Sequence, residues 1–585
     1  MPIIRIGRAK TTAPRLILIV ALFALAPPLS ATRFHVDQRS ASASDANPGI
    51  EPAPWKTIAR AAAAKELRPD DVVYIHSGVY RESIDILVSG TEGHPVTFTA
   101  APNARVVIKG SEVVRGKWTR LSELPDTKEP FPGAYARVWK VQLGDEFFTD
   151  VRPVAVFMDK SRRWVSQVVI NDNTALQRIG EDPLYPNQPY FRLATVGRGL
   201  PDMIQDSFFF DPASQTLYLK ILGGPSWYNV EVGVRGYVLW ARGVHDVVVR
   251  GLELRHNRTR GGQWPMALVS QCQRVRVEDC KFYQGDFSGL GFGSCTNCTV
   301  RNCELSYNGN SGFNMGESTD CLVEGCTLLF NNYRRFSLGW HAGGMKCIPS
   351  NRRCTVRGCE VAYNIASPGI WFDSGNVDIR ILGNVCHHNG TAGIYSEINE
   401  GGGIIADNLV YANQGRGIYL SGSQNTWIVH NTVAGNVSGI VCMPREGDWT
   451  LEDVTVLNNL LLQNTTVAEN QSRGSELTLD MGCAENGPYT RTNMSVHSDY
   501  NVYGNLNGTP TMRHSWNPDN LFEQWRKRFG EDGHSRLLPL PFEVRGMWFK
   551  LTSRSGLDCA GPLPSGLGWK PAAPGWVGSS ILSWP

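Results

Sequence analysis

Aliphatic and polar residues alternate in short runs along the middle of this chain, as in CTVRGCEV and TWIVHNTV, and the runs recur at a nearly fixed distance. Nine segments between about residues 250 and 460 align on Val249, Val277, Val300, Val323, Val356, Ile381, Ile405, Ile428 and Val456. Three residues after each anchor comes a second series: Leu252, Cys280, Cys303, Cys326, Cys359, Asn384, Asn408, Asn431 and Asn459. Eight residues after each anchor comes a third: Asn257, Gly285, Asn308, Asn331, Asn364, Asn389, Asn413, Asn436 and Asn464. A period of two within each run reads as half-buried strands and argues against helical repeats. A repeat length of mostly 23 to 25 residues is that of a solenoid, whose units bury a shared core between neighbours. Asparagines at turns tolerate left-handed backbone, and equivalent asparagines in successive coils can bond one another. The predicted fold is a right-handed parallel β-helix, all-β.

The intervals between anchors are 28, 23, 23, 33, 25, 24, 23 and 28 residues, so the long ones mark loops inserted into a regular coil. Such insertions commonly gather on the binding face. The extra residues of the longest interval, around Arg334 to Gly343, carry Trp340 and His341 and run into the strand GGMKC.

Outside the repeat the chain divides into further regions. Residues 1–31 have the layout of a secretory signal: Arg5, Arg8, Lys10 and Arg15, an apolar stretch from Leu16 to Ala26, and small residues up to a cleavage site near Ala31. Residues 32–110 read as an N-terminal cap, with a helix starting near Pro54 or Trp55, followed by the first β-helix turns. From 111 to 235 the repeat gives way to aromatic-rich strands of an inserted β-rich module, and 236–505 form the β-helix core. Residues 506–585 form a C-terminal cap or tail, with a helix in NLFEQWRKRFGEDGHS stopped by Gly530.

Composition narrows the function. A formal charge of +3 on 585 residues gives no electrostatic case for nucleic acid. After the signal no run is long and apolar enough to span a bilayer, so a secreted or periplasmic protein is expected. Fourteen cysteines in an exported chain first suggest disulfides. The ladder favours packing instead, because Cys280, Cys303, Cys326 and Cys359 share one inward position. Cys295 and Cys298 form a CxxC with no histidine or second CxxC at zinc spacing, which is a weak metal signal. No metal or cofactor is expected.

The chemistry concentrates in three aligned turns, GIWFDSG (369–375), GIYSEIN (393–399) and GIYLSGS (417–423). Alternation sends Ile370 and Phe372 inward and Trp371 and Asp373 outward, with Tyr395 and Glu397 beside them and Tyr419 one turn further. Strands stack ~4.8 Å apart, and retaining glycosidases hold their two carboxyl groups about 5 to 5.5 Å apart. One coil step therefore suits Asp373 and Glu397 as a nucleophile and a general acid/base. Like charges facing across strands are destabilising, so such a pair needs a cation, a shared proton or a purpose. Lys346 occupies the outward position equivalent to Trp371, where it either pairs with Asp373 or contacts substrate. Trp340, His341, Trp371, Tyr395 and Tyr419 complete the candidate substrate surface, against the plainer reading of edge packing for the aromatics and a structural loop histidine.

At these residues the chain resembles glycoside hydrolase family 120, the β-helical β-xylosidases. The resemblance runs through NPGIEPAPWKTIARAA, DDVVYIHSGVYRESI and VIKGSEVVRGKW, then HAGGMKCIPSNRRCTVRGCEVAYN and SPGIWFDSGNVDIRILGNVCHHNGTAGIYSEIN, the last two being the specific ones. It implies Asp373 as nucleophile, Glu397 as general acid/base, and His341 and Lys346 as contacts to an oligo- or polysaccharide. Residues 111–235 and the C-terminal region match loosely, and the cysteine ladder is not a hallmark of that family. Two other functions fit a β-helix. A polysaccharide lyase or epimerase acting on uronic-acid polymers would use Lys346 as base and Ca²⁺ on Asp373 and Glu397. A non-catalytic glycan-binding protein needs none of this chemistry.

Overall fold

The computed structural model describes residues 31–121, 136–147, 155–161, 165–170, 194–197, 199–259, 264–334, 336, 341–445, 449–464, 477–479, 495–504, 511–514, 520–545, 548–563 and 567–584. The expected signal segment, save Ala31, and Trp340 lie outside the described residues. No helix among those described is long and apolar enough to cross a membrane.

Each repeat contributes one short strand to each of three sheets, and each sheet contains 13 strands among the described residues. One coil runs through Thr355–Arg357, Glu360–Ala362 and Ile370–Asp373 before Val377–Leu382 begins the next. The anchors pair directly in parallel register, Val249 with Val277, then Val300, Val323, Val356, Ile381, Ile405, Ile428 and Val456. Their side chains belong to one continuous core that runs the length of the coil. The fold is a right-handed parallel β-helix.

The corners explain the polar ladders. The residue two after each anchor has positive φ in every coil, from Gly251 through Asp279, Asn302, Gly325, Gly358, Gly383, Asp407 and His430 to Asn458. The residue seven after each anchor does the same, from His256 to Gln463. The left-handed residue is thus the one before the ladder asparagine. The asparagine itself turns inward, where its amide serves the carbonyls exposed by the bend. Asn389, fully buried, donates to Val361 O at 2.9 Å and to Asn413 Oδ1 at 2.9 Å, and accepts from Asn364 Nδ2 at 2.7 Å. The same bond repeats from Asn308 to Asn464 and, in the other series, from Asn384 to Asn501. The ladder amides are hydrogen-bonded to the coils on either side, so a ladder inside the core stabilises the stack. Where the second series reads cysteine, the thiols are buried and free, as are all 13 described cysteines apart from the half-buried Cys559.

Both ends are covered. The N-terminal helix spans only Ile58–Ala62, capped by Thr57, whose Oγ1 accepts from Arg60 N at 3.1 Å. It starts later than Pro54 or Trp55 because Trp55 is extended, bridges Val36 and stacks its buried ring on Phe34 at 5.1 Å. At the other end the helix Phe522–Phe529 puts Phe522 and Trp525 into the core and stops at Gly530, φ 71°. Leu540, Phe549, Leu557 and Val577 of the tail then cover Val385, Leu409, Leu460 and Val502 on the outside of the coil.

Between Ser111–Val113 and Val230–Gly233 the strands form two small separate sheets with their own core. A buried polar hub ties them to the coil. Glu231, unexposed, accepts from Arg81 Nη2 at 2.7 Å, Lys109 Nζ at 3.0 Å and Ser111 Oγ at 2.6 Å, and meets His256 Nδ1 at 2.9 Å. Asp159, Glu231 and His256 are spaced like metal ligands, yet the ammonium of Lys109 sits between the two carboxylates, 2.5 Å from Asp159 Oδ1. The hub is an ion cluster balanced by its own cations.

Candidate active site

Three consecutive strands of one sheet, Gly343–Cys347, Ile370–Asp373 and Ile394–Glu397, carry the candidate residues, and Arg416–Ser421 follows. The glycine opening each of these turns is required by close approach. A Cβ on Gly369, Gly393 or Gly417 would come within 2.9 Å of the ladder amides of Asn389, Asn413 and Asn436. A third asparagine ladder, Asn351–Asn376–Asn399, fixes the far ends of the strands. Its amides are linked at 2.8 and 2.7 Å, and Asn376 Nδ2 donates to Asp373 O at 2.9 Å.

Between these supports Ile370 and Phe372 enter the core, and the intervening side chains form a contiguous outer surface. Lys346 pairs in register with Trp371, Trp371 with Tyr395 and Tyr395 with Tyr419, while Asp373 pairs with Glu397. The two acids therefore stand on adjacent rungs of one face, about 4.8 Å apart along the stack.

The surface is drier than its outward register suggests. Asp373 is 9% exposed, Glu397 4%, Trp371 3% and Lys346 not at all. Lys346 Nζ lies 2.6 Å from Asp373 Oδ2 and 2.9 Å from the centre of the Trp371 ring, a cation–π contact. Ser374 Oγ donates to the other oxygen of Asp373 at 2.9 Å. Burial pulls the Lys346 ammonium down to about 8, against the opposing pull of Asp373. Trp371 Nε1 donates to Glu397 Oε2 at 3.1 Å, and Arg445 ion-pairs with Glu397 Oε1. The rings of Trp371, Tyr395 and Tyr419 stack at 5.1 and 4.7 Å. Burial, then the neighbouring Tyr419 hydroxyl, pushes the Tyr395 phenol well above its ordinary range.

His341 is packed within the wall rather than displayed on it. Its Nδ1 lies 2.6 Å from Asn310 Oδ1, its Nε2 lies 3.2 Å from Asn314 Nδ2, and its ring meets Phe287 at 5.3 Å. Burial, with Lys346 nearby, holds it well below the usual histidine range, so the imidazole is neutral, its Nδ1–H donating to Asn310. Sequence reasoning missed Ser374, Arg416 and Arg445. Ser374 directly follows the acid and was legible as a short hydroxyl donor. Arg445 comes from the chain beyond Ser438–Met443, and no local pattern joins it to Glu397.

Comparison with known proteins agrees with this architecture. The family model for the right-handed β-helix region matches residues 243–338, 265–438 and 339–483. The structure of XylC in complex with xylose is similar with a TM-score of 0.62 at 16% identity, over 89% of each chain. A glycoside hydrolase aligns at 0.45 and 11% identity over 83% of this chain and 95% of that one, and pectate lyase Pel9A at 0.36 and 13% over 76% and 79%. An uncharacterised Bacillus subtilis (strain 168) protein, YwoF, is 35% identical over 79 residues, which span 14% of this chain and only 16% of that relative. At these identities the likeness to solved structures is one of fold. The chain is a right-handed parallel β-helix protein that resembles, in fold, a structure solved with xylose bound.

Proposed function

We propose that this chain is an exported retaining glycoside hydrolase, β-xylosidase-like, with Asp373 as nucleophile and Glu397 as general acid/base. The observation that carries this reading is the register pairing of Asp373 with Glu397 on one face, beside a stacked aromatic surface. The fold-level similarity to a xylose complex adds support. In the first step the Asp373 carboxylate attacks the anomeric carbon, the bond to the leaving oxygen breaks, and Glu397 delivers its proton to that oxygen. In the second, Glu397 takes a proton from water, the resulting oxygen attacks the same carbon, and the ester to Asp373 breaks. Lys346 and Ser374 each contact one oxygen of Asp373 and aim its carboxyl group. Trp371, Tyr395 and Tyr419 offer apolar surface to the sugar.

A lyase or epimerase gains one observation, the lowered proton affinity of Lys346, which suits a base. Its ammonium is nevertheless fully buried between Asp373 and the Trp371 ring. The donor set does not fit Ca²⁺, which takes six to eight oxygens: both carboxylates are already engaged by side-chain cations. Release of 4-nitrophenol from aryl glycosides, xylosides first, tests the proposal. Asp373→Ala and Glu397→Ala are expected to lose about 10²–10⁴ of the rate. Full activity in both variants, or unsaturated ultraviolet-absorbing products, would overturn it.

A further inference from the structure

The site holds more positive charge than a neutral sugar calls for. Lys346 neutralises Asp373 from beneath. Arg445 ion-pairs with Glu397, its own side chain 45% exposed while that of Glu397 is 5% exposed. Arg416 lies at the start of Arg416–Ser421 with its guanidinium 4.1 Å above the Tyr419 ring, and no ion pair to a carboxylate is seen for it among the described residues. Tyr419 stacks on Tyr395, and both guanidiniums act electrostatically on the Tyr395 hydroxyl. Two cations thus ion-pair with the two carboxylates while a third, Arg416, lies over the adjoining Tyr419, and one carboxylate charge is lost when Glu397 carries the proton it must donate.

Arg445 also creates a conflict. A guanidinium touching a carboxylate favours its charged form, and an indole N–H donated to the same group acts in the same direction. With a neutral substrate Arg445 would disfavour the protonated form of Glu397 that donates to the leaving oxygen. A sugar bearing its own carboxylate removes the conflict. Its carboxylate draws the half-exposed Arg445 away, and Glu397, left one rung from the anionic Asp373, takes up a proton from solvent. The planar fork of arginine suits bidentate capture of a carboxylate, and a second guanidinium over the adjoining Tyr419 extends the same surface.

We propose that the substrate is a glycoside of a uronic acid whose carboxylate is bound by Arg445 and Arg416. The role given to Glu397 rests on the hydrolase reading, whereas the carboxylate preference is measurable without turnover. Calorimetric titration compares methyl β-D-glucuronide and methyl α-D-galacturonide with methyl β-D-glucoside and methyl α-D-galactoside, on wild type, Arg445→Ala and Arg416→Gln. One uronide is expected to bind at least about tenfold more tightly than its neutral partner, as a charge-assisted bidentate contact provides. Its binding should take up protons when compared in buffers of different ionisation enthalpy, and Arg445→Ala should bring its affinity down to that of the neutral sugar. No uronide preference in the wild type, or a preference intact in Arg445→Ala, overturns the inference. The two readings fail separately. Hydrolysis of an aryl xyloside without any uronide preference sinks this proposal alone. A uronide preference abolished by Arg445→Ala, with no aryl glycoside hydrolysed, sinks the hydrolase alone.

Discussion

Lys346→Met removes a charge from the middle of the site while keeping an unbranched side chain of similar length. The wild-type ammonium is fully buried, 2.6 Å from Asp373 and 2.9 Å above the Trp371 ring, and burial brings its proton affinity down to about 8. At pH 7 about nine tenths of the molecules carry the charge, and at pH 9 about one tenth. Loss of the proton leaves Asp373 without its cation. The wild-type kcat/KM on an aryl glycoside should therefore fall along an alkaline limb near pH 8, a property of the free enzyme. His341 lies far below such a limb and Tyr395 far above it, and a limb set by the general acid Glu397 would persist in Lys346→Met, which separates the two sources. Lys346→Met should lack that limb and lose about 10- to 100-fold in kcat/KM at pH 7, the worth of about 1.5–3 kcal/mol for a charge-assisted bond. Stability gives an independent reading. The folded value lies below the ordinary lysine value of 10.5, so the unfolded chain binds the extra proton between pH 8 and 10.5. Stability then rises with pH across that window, by up to ~3 kcal/mol for wild type relative to Lys346→Met. An alkaline limb near pH 8 that survives in Lys346→Met, or a wild-type profile flat to pH 10, refutes this account.

Three further predictions probe the frame around the acids. Asn389→Ala strips a fully buried amide from the ladder and strands partners on both sides, so thermal or denaturant unfolding should show a loss of about 3 kcal/mol or more; an unchanged midpoint would contradict the ladder's role. Trp371→Phe keeps the ring over Lys346 but removes the donor to Glu397, and should lower kcat by about tenfold or more while leaving the fold intact by circular dichroism. Thiol titration in denaturant without reductant should find at least 13 free thiols among the 14 cysteines of the chain, and reductant should leave the melting temperature unchanged; a deficit of two or more would contradict the free-thiol reading.

Much of this fold was legible because each coil repeats the same constraints. The anchors from Val249 to Val456 pair as their spacing implies, and the parity of GIWFD and GIYSE gives the correct inward and outward faces. The two acids and Lys346 follow from parity alone. What the pattern did not carry is contact between distant parts of the chain. Arg445 reaches Glu397 from 48 residues away in sequence, and the tail covers Val385 and Leu409 from beyond residue 540. The dryness of the site is a further example, since parity sends Asp373 and Lys346 outward and says nothing of what lies over them. The corner geometry was misassigned by one residue: the left-handed position takes Gly358 or Asn302, while the neighbouring ladder residue takes the buried amide or thiol. The asparagine series at 351, 376 and 399 was visible as spacings of 25 and 23, yet it lies off the main anchors.

The central claim is that Asp373 and Glu397 act across one rung of the coil as nucleophile and acid/base. Proton NMR of the first-formed sugar during aryl glycoside cleavage tests it most directly. The account predicts retained anomeric configuration, with azide giving a glycosyl azide of retained configuration in Glu397→Ala. Release of the inverted sugar, or retention that persists undiminished in Asp373→Ala, would contradict it.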